Sequence, residues 1–131
     1  EGGTLTIVNR GHDAGKKLAS KFQGRFIPLS DTRSIADLSA DIVINTTAVG
    51  MHPSVDQTPL PSGCLTPGSL VMDVVYTPLE TRFLTEAKQQ GCTTIDGLSM
   101  FLNQGAAQFQ LWTDIFPDIE IMRQAILNGD R

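Results

Sequence analysis

The sequence is short of the residues that build most recognisable sites. It holds two cysteines, two histidines, one tryptophan and one tyrosine in 131 residues. Cys64 and Cys92 stand far apart, with neither a CxxC pair nor a Cys/His ligand spacing, so neither a zinc module nor a disulfide scaffold is indicated. Both read as small hydrophobes in a reduced, cytoplasmic protein, or a plastid one if the source is a plant. His12 and His52 have no partner at catalytic or metal-ligand spacing, and no metal site is expected. Basic charge is scarce as well, ten Lys and Arg against fourteen Asp and Glu giving a net charge of −4. That leaves no broad cationic surface for nucleic acid or anionic lipid, though it allows an isolated basic pocket. No apolar run approaches the ~20 residues that cross a bilayer, and no signal peptide is read at the start. The chain opens on Glu1 rather than Met, and the expected setting is a portion of a longer protein.

What is present describes a folded globular domain, 40% hydrophobic and 18% charged, with no low-complexity tract. Residues 1–131 read as one unit. Thr4–Val8 is rich in β-branched residues and reads as a strand. Ala14–Phe22 reads as a helix with Ala14, Leu18, Ala19 and Phe22 on its buried stripe and Gly24 at its end. A strand over Arg25–Leu29 and a short helix or turn over Ile35–Leu38 follow. Ile42–Ile44 is an unbroken β-branched run suited to a strand buried on both faces. After Pro53 a segment rich in Pro and Gly reads as an ordered loop. Leu70–Tyr76 is the next strand, then a helix over Thr81–Gln90 with Phe83, Leu84 and Ala87 inward and Gly91 as its stop. A strand over Thr93–Asp96, a helix capped by Ser99 and running to about Asp114, and a helix over Ile119–Leu127 complete the pattern. Alternation of this kind implies an α/β fold, a parallel sheet with helices on both faces.

Candidate site residues gather at strand ends. Asn45, Thr46 and Thr47 close the Ile42–Ile44 run at its carboxyl end, which in an open α/β sheet is where ligands bind. The plainer alternative is that they cap the strand and begin a turn. Asn9-Arg10 ends the first strand with no carboxylate beside it, and a guanidinium there suits the 2′-phosphate of NADP; a solvated Arg in a turn is the competing reading. Asp73 lies inside an apolar strand, where a carboxylate needs a partner the sequence does not identify. Tyr76 sits at the functional edge. Gly97 precedes a helix, so its backbone is free to approach a flat ring, or simply to turn from strand to helix. Gln104 and Gln108 share one helical face, as ligands for a polyhydroxylated substrate or as surface amides.

Four motifs in register give a specific resemblance. They are Val8-Asn9-Arg10, then Ile44-Asn45-Thr46-Thr47-Ala48-Val49-Gly50-Met51, then Asp73-Val74-Val75-Tyr76-Thr77-Pro78 with Thr81, and finally Gly97 through Gly105 with Phe109. From about Thr4 to Trp112 the chain resembles the C-terminal NADP-binding domain of shikimate dehydrogenase. Its Gly50-Met51-His52-Pro53 extension is most similar to the enzymes fused to dehydroquinate dehydratase. The resemblance implies a Rossmann-like sheet and an oxidoreductase that interconverts 3-dehydroshikimate and shikimate with NADP. It assigns Asn9, Arg10, Asn45, Thr46, Thr47, Val75, Gly97 and Met100 to the cofactor, and Tyr76 and Gln104 to the substrate. Gly11 and Ala14 stand where the family usually has Thr and often a basic residue. No catalytic residue is assigned within the chain. The family's catalytic Lys and Asp belong to an N-terminal substrate domain, and its glycine-rich loop to a first βα unit, neither of which these residues match. The chain alone is accordingly expected not to turn over shikimate. Without that unit, two apolar strand edges are expected either to pair directly or to recruit a second copy or the missing segment. A non-catalytic binding module that keeps the fold is the alternative function.

Overall fold

A computed structural model describes residues 2–61 and 63–129. Ten elements follow one another: β1 (Thr6–Asn9), α1 (His12–Lys21), β2 (Arg25–Pro28), α2 (Thr32–Ala36), β3 (Ile42–Asn45), β4 (Leu70–Asp73), α3 (Arg82–Gln89), β5 (Thr93–Ile95), α4 (Gly97–Thr113) and α5 (Ile119–Gly129). Every strand pair is parallel, so each connection must cross over, as the α/β pattern requires. The strands form two sheets rather than one. β1 pairs with β2, Thr6 opposite Arg25, and β3-β4-β5 form a second sheet with Ile42 opposite Leu70 and Leu70 opposite Thr93. The direct pairing of β1 with β3 that strand order allowed is not formed.

The larger sheet owns the packed core. Leu65, Val71, Phe83, Leu84 and Ala87 form its cluster, with Val43, Leu60 and Cys92 against it. Phe83, Leu84 and Ala87 are the inward face expected of α3, whose start is fixed by Thr81 accepting from the Leu84 N–H. Gly91 stops that helix in the left-handed region at φ +79°. α4 begins three residues earlier than expected. Asp96, not Ser99, is its cap, accepting from the Ser99 N–H at 2.6 Å, because a carboxylate three residues ahead outcompetes a hydroxyl already inside the first turn.

Two further expectations are corrected. The buried line of α1 is Gly15 and Ala19; Ala14 and Leu18 are exposed, and so is Phe22 at 57%. Gly15 lets the helix settle on β2, since a Cβ there would lie 2.2 Å from the Phe26 ring. α1 ends through Gln23 at φ +53°, and Gly24 serves a different need: its Cβ would meet the Leu5 carbonyl at 2.8 Å. Nor is β3 buried on both faces. Ile42 is 58% and Ile44 51% exposed: two residues apart, they share the face opposite the core-packed Val43, and no helix packs closely on β3 among the described residues.

Candidate functional site

The carboxyl ends of β3 and β4 are locked together by one carboxylate. Asp73, fully buried, accepts from Asn45 Nδ2 at 2.9 Å and from the Val75 N–H at 3.0 Å on one oxygen. Its other oxygen accepts from the Thr81 hydroxyl at 2.7 Å. Three donors replace the water a buried carboxylate has lost, which is how an apolar strand tolerates it. No cation pairs with it among the described residues. Asn45 passes the constraint onward. Its side-chain oxygen accepts from both the Thr47 N–H and the Thr47 hydroxyl, and its Nδ2 also donates to the Val49 carbonyl at 3.2 Å. One network therefore shapes the loop after β3, the loop after β4 and the start of α3.

Two adjoining cavities open over those loops. One, of about 340 Å³, is lined by Thr46, Thr47, Ala48, Met51 and by Val74 through Thr77. The other, of about 400 Å³, has Arg10 on one side and Thr47 through Ser54, except Gly50, with Gln57 on the other. No carboxylate lines it, and Arg10 has no ion-pair partner among the described residues. A guanidinium so placed fits an anionic group. Asn9 holds the turn that presents it, its side chain accepting from the Arg10 N–H at 3.0 Å and donating to the Gly11 carbonyl at 3.2 Å.

The expected site residues fall into three groups. Arg10, Thr46, Thr47, Val75 and Tyr76 line the cavities, while Asn9 and Asn45 stand behind them as supports. Gly97, Met100 and Gln104 line neither cavity. What Gly97 approaches is protein: a Cβ there would lie 2.5 Å from the Val75 carbonyl and 2.6 Å from that of Val74, so α4 begins pressed on the end of β4. Tyr76, 45% exposed, stacks on Phe101 with ring centroids 5.5 Å apart. Gln104 is exposed one turn beyond Phe101, on the same helical face. Sequence reasoning gave His52 no role and did not find Ser54 or Gln57, all three of which line the Arg10 cavity. The Gly50-Met51-His52-Pro53 stretch was the available signal. Gly50 at φ +93° turns that loop back over the site.

A family model of the shikimate 5′-dehydrogenase C-terminal domain matches residues 97–127. The chain is 40% identical to the NADP(+) shikimate dehydrogenase of Moorella thermoacetica over 95% of its own length and 44% of that enzyme's. Its fold matches shikimate 5-dehydrogenase from Thermus thermophilus, solved with NADP(H) and shikimate, at a TM-score of 0.81 and 36% identity, covering 95% of this chain and 45% of that one. Quinate dehydrogenase from Corynebacterium glutamicum, solved with NAD, gives a TM-score of 0.77 at 35% identity over 95% and 46% of the two chains. The chain thus spans about half the length of the curated relatives it matches, and its residues 97–127 are the part that matches the C-terminal domain model. No helix among the described residues is long and apolar enough to cross a membrane.

Proposed function

We propose that this chain is the cofactor-binding part of an NADP-dependent dehydrogenase that interconverts shikimate and 3-dehydroshikimate. The observation that carries the reading is Arg10, unpaired among the described residues, lining a carboxylate-free cavity that shares Thr47, Ala48 and Met51 with a second one at the ends of β3 and β4. In that arrangement Arg10 grips the adenosine 2′-phosphate through its planar fork, with the Asn9 turn holding the guanidinium in place. Thr46 and Thr47 offer hydroxyls and a main-chain edge along the cofactor. Val75 lines the far cavity and Gly97 presses the start of α4 on the end of β4, which puts Gly97 and, three residues on, Met100 on the nicotinamide side. The nicotinamide, when bound, supplies or accepts the hydride.

Tyr76 and Gln104 then belong to the substrate side. The Tyr76–Phe101 stack and Gln104 form an exposed rim beyond the second cavity, with a hydroxyl and an amide suited to a polyhydroxylated acid. An N-terminal substrate domain covers that rim and brings the Lys and Asp that move the proton. The exposed Phe109, Leu111 and Trp112 further along α4 support the docking of such a domain.

The test is a chimera in which the portion of the Moorella enzyme preceding the matched region is joined to this chain. Shikimate-dependent NADPH formation is expected from the chimera and not from the 131-residue chain. A folded chimera that binds NADP yet leaves shikimate unoxidised would instead support the non-catalytic module.

A further inference from the structure

We propose that the loop over residues 51–57 is a second, specificity-determining wall of the nucleotide site: His52 donates to the 2′-phosphate from the side opposite Arg10, and Arg82, outside the cavity, is the positioning residue that holds the loop within reach. The inference deepens the NADP reading above and rests on it. On the β1 side Arg10 stands alone. Gly11 carries no side chain, Ala14 has no polar side-chain atom, and neither Lys16 nor Lys17 lines the cavity. A guanidinium fork serves two oxygens of a phosphate, whereas the group presents three and a charge of about −1.5 to −2. One cation therefore leaves both an acceptor and charge unanswered, and the complement must come from the other wall. There His52, Ser54 and Gln57 line the same cavity of about 400 Å³. The loop's own hydrogen bonds are made by its main chain: the Ser54 N–H donates to the Met51 carbonyl at 2.9 Å and the Gln57 N–H to the Ser54 carbonyl at 3.1 Å. The three polar side chains are thus left without a hydrogen-bond partner among the described residues. Among the residues lining the cavity, His52 is the one besides Arg10 that can carry positive charge, which makes it the complement a dianion selects.

An exposed loop does not hold an imidazole in place by itself, and here two contacts from the start of α3 do so. Arg82 donates from one terminal nitrogen to the Asp56 carbonyl at 2.6 Å, while its Nε is held by the Glu86 carboxylate, one turn on, at 2.6 Å. At the other end of the loop, Gly50 rests against Gln57 and Thr81: a Cβ there would lie 3.4 Å from the Gln57 carbonyl and 3.7 Å from Thr81 Cβ. Both ends of the loop therefore bear on consecutive residues, Thr81 and Arg82. Arg82 lines neither cavity, so whatever it does to binding passes through the loop.

The test titrates the 131-residue chain with two probes, adenosine 2′,5′-bisphosphate and 5′-AMP, whose affinity ratio isolates the 2′-phosphate. The native chain is expected to prefer the bisphosphate by roughly tenfold or more, and Arg10→Ala to remove most of that preference. His52→Leu should lower it about three- to tenfold with 5′-AMP unchanged. His52→Gln keeps an N–H donor without the charge and should recover part of the loss. Arg82→Ala should lower the preference in the same direction, and Arg82→Lys, which keeps a donor for the Asp56 carbonyl, should restore it. Unchanged amide signals at Val71 in every variant would show that the core is intact. A native preference that Arg10→Ala abolishes and His52→Leu leaves untouched would overturn the second wall while the NADP reading stands. A native chain with no preference between the probes would overturn that reading and the wall with it. Equal weakening of both probes by Arg82→Ala would mark a general structural role and remove Arg82 as the positioning residue.

Discussion

The two sheets show how far one α/β pattern can be carried toward a self-supporting unit. β3-β4-β5 has a closed core behind it, and its two loops are tied to α3 through the buried Asp73. β1-β2 has two strands and the helix α1, and its buried apolar side chains are few: Ala19, Ile27 and, from α2, Ile35. A two-stranded sheet is marginal by itself. The difference matters for function because the shaped cavity belongs to the first unit and the guanidinium to the second. Preorganised loops thus wait beside a cation whose position depends on the weaker half.

The largest expected effect tests that asymmetry directly. Phe83→Ala empties the centre of the main core and should cost about 3–5 kcal/mol by chemical denaturation, with exchange protection lost across β3, β4 and β5. Ile27→Ala, about 2–5 kcal/mol by the same rule, should loosen β1, α1 and β2 while Val71 stays protected. If Ile27→Ala strips protection from both sheets alike, the halves are one cooperative unit and the comparison fails.

Next in size is the contribution of the weaker half to binding. Arg10→Ala in the chimera should cost about 1.5–3 kcal/mol toward NADP, roughly ten- to hundredfold in affinity, and far less toward NAD. Titration of both nucleotides reads it. An equal loss for the two would remove Arg10 from the 2′-phosphate and leave NADP selectivity to some other group.

On the stronger half, Thr81→Ala deletes one of the three donors to Asp73 together with the cap of α3, and should cost about 1–2 kcal/mol. Thr81→Ser keeps the hydroxyl and should restore most of it. Both variants should keep the Asn45–Asp73 bond, so the shape of the Thr46–Ala48 loop is expected to outlast the stability loss. Changed amide shifts at Thr47 and Val75 of equal size in the Ala and Ser variants would show that the hydroxyl is not the link.

These contrasts also mark what a linear sequence could reveal. The inward face of α3 was legible from spacing alone, because Phe83, Leu84 and Ala87 meet a core on their own side. The alternation of strands and helices gave the parallel fold for the same local reason. Asp73 was visible as a buried carboxylate, but its partners were not: Asn45 lies 28 residues before it and Thr81 eight after it, and only the fold brings them together. The stripe of α1 was misread because the helix rests on a glycine, a residue that periodicity scores as nothing, against the Phe26 ring. Exposure of Ile42 and Ile44 was not legible either, since β-branched composition records what a strand is suited to and not whether a helix covers both its faces.

The smallest effect lies at the rim of the weaker half and depends on pH. Asp31 caps α2, accepting from the Ser34 N–H at 3.1 Å, and that backbone hydrogen bond, with lesser help from the Ser34 side chain and from Arg25 and Arg33, holds its carboxyl below the ordinary value of 3.8. A depressed folded value stabilises the helix start at any pH above the unfolded value, and that stability disappears as pH falls through the folded one. The loss is therefore confined to acid below 3.8 and is absent at neutral pH. The Ser34 amide shift, followed from neutral to strongly acidic solution, should titrate with a midpoint under 3.8 while Val71 stays unchanged over the same range. Asp31→Asn keeps an acceptor but cannot ionise, so its Ser34 amide should show no such midpoint. A midpoint at or above 3.8 in the native chain would mean that the cap is not formed in solution, and that the weaker half is looser at α2 than its hydrogen bonds imply.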